Sequence, residues 1–173
     1  HWSTPPLEDD TTHPATPKQG PPIRTDRLPR ELLRQRLRTL LDAGREFQGA
    51  DLTSFRMGRW DLKSTVRPLL AEEGITFDSS VCPLRVFHDG PDHFLAPSDP
   101  YWLEDAPGLL ESPVTQIPLS RTLARLWHGC AKGAAWADSF HFWGALSPNP
   151  VWHSAAVMRA AARQHMARDG RVL

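Results

Sequence analysis

Hydrophobic and polar positions along this chain alternate between helical and strand-like spacing. The first periodic stretch carries leucines three or four residues apart, which predicts an amphipathic helix. These leucines are Leu33, Leu37, Leu40 and Leu41. Pro29 suits the first turn of this helix, and Gly44 or Gly49 suits its end.

Further elements follow in alternation. Short apolar segments at residues 52–56, 75–81 and 109–117 predict three strands. A second helix is expected to start near Ser64 or Thr65, because Pro68 lacks an N–H and fits only a first turn, and to stop at Gly74. Residues 83–108 are rich in Pro, Asp and Gly and are predicted to form a loop. A third helix is predicted near residues 122–127. Strands separated by helices predict parallel pairing and an α/β fold.

The last predicted helix follows Asn149, which suits the N-cap, with Pro150 at the first helical position. Four of its residues fall on one face at helical spacing, and Gly170 marks its end. The residues of that face are Met158, Ala161, Ala162 and His165.

Residues 1–29 differ from the rest, since they hold seven of the seventeen prolines. They are predicted to form an irregular loop, and residues 30–173 to form the β/α units of one partial domain. The chain opens on His1 without an initiating Met, and residues 171–173 resemble the start of another strand. We therefore expect a piece of a longer domain, truncated at both ends.

The amino-acid composition narrows the range of possible functions. Lys plus Arg and Asp plus Glu balance at 20 each, which argues against a nucleic-acid binder with a basic face. Seven Trp suit either carbohydrate stacking or a buried core. Cys82 and Cys130 are far apart, so reduced cysteines and a reducing compartment such as the cytoplasm are favoured over a disulfide. No apolar run is long enough to span a membrane.

Three polar residues stand at or near the ends of the predicted strands: Arg56, Asp78 and Glu111. Arg56 can orient a carboxylate through a charge-assisted hydrogen bond or form a surface ion pair. Asp78 and Glu111 sit among apolar residues, which favours structural pairing over catalysis. The chain has no G-x-S-x-G, H-E-x-x-H, phosphate-binding glycine loop or paired C-x-x-C motif.

Some of the histidines suggest two candidate sites, and the others are scattered along the chain. His1 and Trp2 stand together at the head of the proline-rich loop. A second group around Gly90-Pro91 suggests a metal patch or, more simply, a solvated turn. That group is His88, Asp89, Asp92 and His93. The scattered His128, His141, His153 and His165 are predicted to be core or surface residues.

Taken in order, several segments of the chain resemble the polysaccharide deacetylase (NodB-homology) family, in its surface-glycan-locus subgroup. The segments that carry this resemblance are residues 1–6, 53–60, 78–81, 90–92, 100–103, 110–115 and 170–173. They span nearly the whole chain.

The resemblance implies a distorted (β/α) barrel of parallel strands with a divalent metal, often zinc, held by one Asp and two His. It also implies a base aspartate that activates metal-bound water and a late histidine that acts as general acid. Attack on an acetyl group then releases acetate. The family's aspartate pair is expected before His1, and its His-Ser pair after Leu173.

Carried onto this chain, the resemblance makes Arg56 and Asp78 the candidate catalytic residues. Arg56 would orient the base aspartate, and Asp78 would support the barrel mouth. His1 would lie at or beside the metal. The candidate substrate-binding residues are aromatic: Trp2, Trp60, Tyr101 and Trp102.

The predicted function is removal of acetyl groups from a polysaccharide or glycan, with an acetylated glycan as substrate. Two alternatives stay open. One is a catalytically inactive barrel that binds glycans, and the other is a glycoside hydrolase that uses Asp78 and Glu111 as its two carboxylates.

Overall fold

The computed structural model describes residues 28–60, 62–87, 90–134 and 136–167. The chain divides into two compact units. The first comprises residues 1–78 and 102–110, and the second comprises residues 79–101 and 111–173. Among the described residues, no helix combines the length and the apolar character that a membrane crossing requires.

The first unit starts with a long helix, and its strands contribute to a four-stranded sheet. Its elements up to residue 78 are α1 (Arg30–Gln48), β1 (Ser54–Phe55), a 3-10 turn (Gly58–Trp60), α2 (Arg67–Glu72) and β2 (Phe77–Asp78). Two more strands, β3 (Tyr101–Trp102) and β4 (Leu110–Glu111), contain the points where the chain changes unit. The strand order of the sheet is β1-β2-β4-β3.

Helix α1 confirms the leucine periodicity and the predicted ends. Leu33 and Leu37 are buried, whereas Leu40 is 53% exposed, so the apolar face is narrower than the sequence suggests. The helix runs through Gly44 and ends at Gly49, which adopts a left-handed conformation with φ 72°. Glycine populates this region without the steric cost that a Cβ imposes.

Helix α2 begins later than predicted, at Arg67, but it places Pro68 in its first turn as expected. Its last residues are joined to α1 by ion pairs. Arg34 Nη2 donates to Glu72 Oε2 over 2.7 Å, and Arg38 donates to both carboxylate oxygens of Glu73 over 2.7 and 2.9 Å. These bonds connect the two helices within the first unit.

Replacing Glu73 by glutamine is expected to destabilise the protein at neutral pH and to weaken its acid sensitivity. Hydrogen bonds from Arg38 hold the pKa of Glu73 below its ordinary value of 4.5, and those from Arg34 lower the pKa of Glu72. Because the folded-state pKa is the lower one, this stabilisation is complete above about pH 4.5 and is lost as pH falls through the folded-state value. Urea midpoints at pH 7 and pH 3 measure the effect. The exposed Glu46 of α1 supplies the control: if Glu46→Gln shifts the midpoint as much, the ion pairs contribute nothing measurable.

The second unit contains the remaining helices and a two-stranded sheet. Its elements after residue 111 are β5 (Ile117–Pro118), α3 (Arg121–Ala131), a 3-10 turn (Ala137–Ser139), α4 (Phe140–Trp143), β6 (Ala145–Leu146) and α5 (Ala155–Met166). Strands β5 and β6 are antiparallel, with Ile117 opposite Leu146. Cys82 is buried and Cys130 is exposed, and neither forms a disulfide, as predicted.

The core of the second unit is aromatic. Phe94 and Phe140 are fully buried, with ring centroids 5.2 Å apart. The Trp127 and Trp143 rings lie 6.0 and 5.0 Å from the Phe140 ring. Offset and edge-to-face aromatic contacts of this kind stabilise more than their buried area alone. Part of the tryptophan content therefore serves packing.

Two sequence expectations need correction. The predicted loop at residues 83–108 contains strand β3. The final helix does not begin at Asn149, because Asn149 Oδ1 accepts a hydrogen bond from the Val151 amide in a turn. Ser154 is the true N-cap, and its Oγ accepts from the Val157 amide. Ala161 and His165 are buried on α5, as the periodicity predicts.

Strand pairing is mixed among the residues that the structure describes. Strands β1 and β2 are parallel, which confirms the prediction for that pair, whereas β5 and β6 are antiparallel. No closed barrel is visible in the described ranges. The (β/α) barrel stays a prediction.

Candidate functional site

The carboxyl ends of the parallel strands β1 and β2 place two predicted site residues at one edge of the sheet. Phe55 is paired with Asp78, and Arg56 directly follows β1. The register is held by the Thr53 carbonyl oxygen, which accepts a hydrogen bond from the Phe77 amide over 3.1 Å. Ligands of α/β enzymes commonly bind outside the carboxyl ends of parallel strands. This edge is therefore the candidate site of the first unit.

Arg56 is exposed and rests on an aromatic ring. Its guanidinium carbon lies 4.1 Å from the Trp60 ring centroid, within the range of a cation–π contact. Trp60 closes the 3-10 turn and has a φ of 55°, an uncommon conformation for a bulky residue. The turn folds the indole back beneath the arginine. A guanidinium held in this way can still donate hydrogen bonds from its edge to a carboxylate.

Asp78 and Glu111 are both fully buried. Glu111 Oε1 accepts a hydrogen bond from the Val81 amide over 2.9 Å, within the second unit. Burying a carboxylate is costly unless hydrogen bonds compensate it, so this contact identifies Glu111 as a structural residue. Burial gives Asp78 a supporting position at the strand end rather than direct access to a ligand.

The predicted sugar-stacking residues differ in exposure. Trp102 is 66% exposed and offers an accessible ring, whereas Tyr101 and Trp60 are partly buried. His1 and Trp2, the predicted metal-binding and substrate-binding residues of the proline-rich segment, lie outside the described residues.

The two described residues of the predicted histidine and aspartate patch, Asp92 and His93, make separate contacts. Asp92 Oδ2 lies 2.9 Å from His128 Nε2, whereas the buried His93 accepts a hydrogen bond at Nδ1 from the Cys82 amide. His88 and Asp89 are outside the described ranges. Within those ranges, no group of three or more His, Cys, Asp or Glu is placed to hold a metal ion.

Comparison with known proteins does not distinguish a deacetylase from a glycan-binding protein or a glycoside hydrolase. Neither a protein-family model, a curated protein nor a solved structure matches this chain. The resemblance to polysaccharide deacetylases therefore stays a prediction.

The second unit contains a cavity of about 310 Å³ that the sequence does not reveal. Its polar lining comes from residues far apart in the chain: Asp99, Gln116, Arg121, Arg125 and His165. Sequence reasoning treats His165 as a core or surface histidine. The available signals were its place on the buried face of α5 and the two arginines one turn apart at the start of α3. Nothing local links these signals to Asp99.

Proposed function

We propose that this chain belongs to a metal-dependent carbohydrate deacetylase that removes N- or O-acetyl groups from a surface or cell-wall glycan. The observation that supports the proposal is the shared edge of β1 and β2, where Arg56 follows one strand and Asp78 ends its parallel neighbour. The family resemblance expects an arginine that orients a catalytic aspartate, and Arg56 is the residue of this edge that could do so.

In this proposal the residues of the first unit bind and orient. Arg56, supported by the Trp60 ring, donates charge-assisted hydrogen bonds to the base carboxylate and holds it in one rotamer. Trp102 offers its exposed ring to an acetylated sugar. Asp78 contacts no substrate and stabilises the strand end from within.

The proposed cofactor is a divalent metal, zinc being the first choice. The described residues do not supply a set of ligands for it, so we assign no step to a metal. Its ligands would come from elsewhere, with His1 as the candidate on this chain.

Replacing Arg56 by alanine is expected to reduce kcat/KM for acetate release about 30-fold. This factor corresponds to about 2 kcal/mol, the free energy of one charge-assisted hydrogen bond. The assay uses the product of the whole gene that encodes this chain. Acetate is measured enzymatically with an N-acetylated and an O-acetylated oligosaccharide, and bound zinc is measured by mass spectrometry. Zinc content should not change, because Arg56 orients a base and binds no metal.

Arg45→Ala is the matched control, since Arg45 is an exposed arginine of the same unit and pairs with Asp51. It should retain full activity. Equal activity of the Arg56 and Arg45 variants would remove Arg56 from the mechanism. Absence of acetate release from zinc-loaded wild-type protein would refute the deacetylase.

A glycan-binding protein without catalysis is the second candidate. Exposed indoles favour it, since Trp102 and Trp152 are 66% and 81% exposed. Retention on an immobilised glycan without acetate release would support this function. The burial of Asp78 and Glu111 argues against the glycoside hydrolase, because its two carboxyl groups must reach the glycosidic bond.

A further inference from the structure

The cavity of the second unit has the size of a small-molecule site. About 310 Å³ is near the lower limit for ligand pockets and equals the liquid volume of about ten waters. One side of its lining is apolar, with Leu84, Phe94 and Ile117, all buried. A ligand with an apolar body of one ring would fit this space.

His165 lines the cavity, and one of its ring nitrogens has no hydrogen-bond partner among the described residues. This nitrogen is Nε2, and the residue is 4% exposed. Asp99 Oδ1 is 3.8 Å away, beyond hydrogen-bonding distance. A buried polar atom without a partner costs about 1–3 kcal/mol, so buried nitrogens normally have one. A ligand atom in the cavity would satisfy it.

The lining also includes two positively charged residues. Arg121 and Arg125 are one turn apart in the first half of α3, whose N-terminus carries the positive end of the helix dipole. Both arginines are exposed residues of the lining. Ser120 caps the helix by accepting a hydrogen bond from the Leu123 amide, so the helix start is fixed.

Gln116 is a fixed part of the wall. Its Oε1 accepts a hydrogen bond from Ser147 Oγ, and its Nε2 donates to Cys82 Sγ over 3.6 Å. With both ends of its amide engaged, Gln116 shapes the cavity. Recognition of a charged ligand group is assigned to Arg125 and His165.

We propose that this cavity binds a small organic monocarboxylate. The apolar body would pack against Phe94 and its neighbours, while the carboxylate accepts hydrogen bonds from His165 Nε2 and from Arg125. The lining has two arginines, Arg121 and Arg125, against one carboxylate, Asp99, which favours a ligand with one negative charge. The Asp99 carboxylate opposes a dianion. This site is independent of the deacetylase proposal, since no residue is shared.

Benzoate is the test ligand, with benzyl alcohol and phenyl phosphate as its neutral and doubly charged counterparts. Titration of the whole chain followed by ¹H–¹⁵N spectra should give saturable binding of benzoate that is at least fivefold tighter than that of either counterpart. Arg125→Ala should weaken benzoate at least fivefold. Arg159→Ala should leave the affinity for benzoate unchanged, because Arg159 is an exposed arginine of α5 outside the lining.

Several results would overturn the proposal. They are absence of saturable benzoate binding, equal affinity for benzyl alcohol, tighter binding of phenyl phosphate, and equal weakening by both arginine variants. His165→Gln adds a second readout at the buried histidine of the lining. If it folds and binds benzoate as the wild type does, His165 is not a ligand-binding residue and the proposed pose is wrong.

Discussion

Phe140→Ala is expected to lower the free energy of unfolding by about 3–5 kcal/mol, the usual cost of removing a buried phenylalanine. Phe140 is fully buried at the centre of the aromatic core of the second unit. Its ring centroid lies 5.2 Å from Phe94 and 5.0 Å from Trp143. Truncation removes these contacts and leaves a cavity that rigid neighbouring rings cannot fill.

Chemical denaturation followed by tryptophan fluorescence measures this loss, because Trp127 and Trp143 report on the same core. Phe142 is the control: it lies two residues away on α4 but is 81% exposed. Phe142→Ala should change the free energy of unfolding by no more than about 0.5 kcal/mol. Similar losses in both variants would mean that the aromatic core is not packed as described.

Asp138→Ala is expected to cost about 2–3 kcal/mol. The Asp138 carboxylate accepts two hydrogen bonds from Arg85, over 2.7 and 2.8 Å, and a third from the Val86 amide over 2.9 Å. The side chains of Arg85 and Asp138 are only 24% and 29% exposed, so solvent screens the pair incompletely. Removal of the carboxylate leaves a half-buried guanidinium and an amide without their acceptor.

The control is an ion pair in open solvent. Asp42 pairs with Arg45 over 3.1 Å, with both side chains more than half exposed. Asp42→Ala should cost less than about 1 kcal/mol. Urea midpoints of the two variants give the comparison, and a loss at Asp138 no larger than at Asp42 would show that the Arg85 contact contributes little.

Local patterns were reliable where a single stretch of chain sets the outcome. Leucine spacing predicted α1, and Gly49 marked its end because its left-handed backbone suits glycine. Pro68 was placed correctly in the first turn of α2 for a similar reason, since the absence of an N–H is a property of the residue itself.

Local patterns gave a wrong prediction where two residues suit the same structural role. Asn149 and Ser154 are both good N-caps, and Pro150 suits a turn as well as a first helical turn. Only the packing of α5 against its own unit selects Ser154. Strand β3 was missed because Tyr101 and Trp102 lie in a proline-rich segment, and their pairing depends on a second strand, β4, rather than on local sequence.

By itself, the sequence determined α1, the first turn of α2, the approximate positions of β1 and β2, and the presence of Arg56 and Asp78 near the ends of these strands. These features depend on side-chain periodicity and on backbone preferences, which act over a few residues. The contact between Arg56 and Trp60 depends on the conformation of the 3-10 turn that ends at Trp60. Tertiary contacts alone bring His165, Asp99 and Arg125 around one cavity. Those contacts join segments that are separate in the chain, and they form only when burial of the apolar faces brings the segments together.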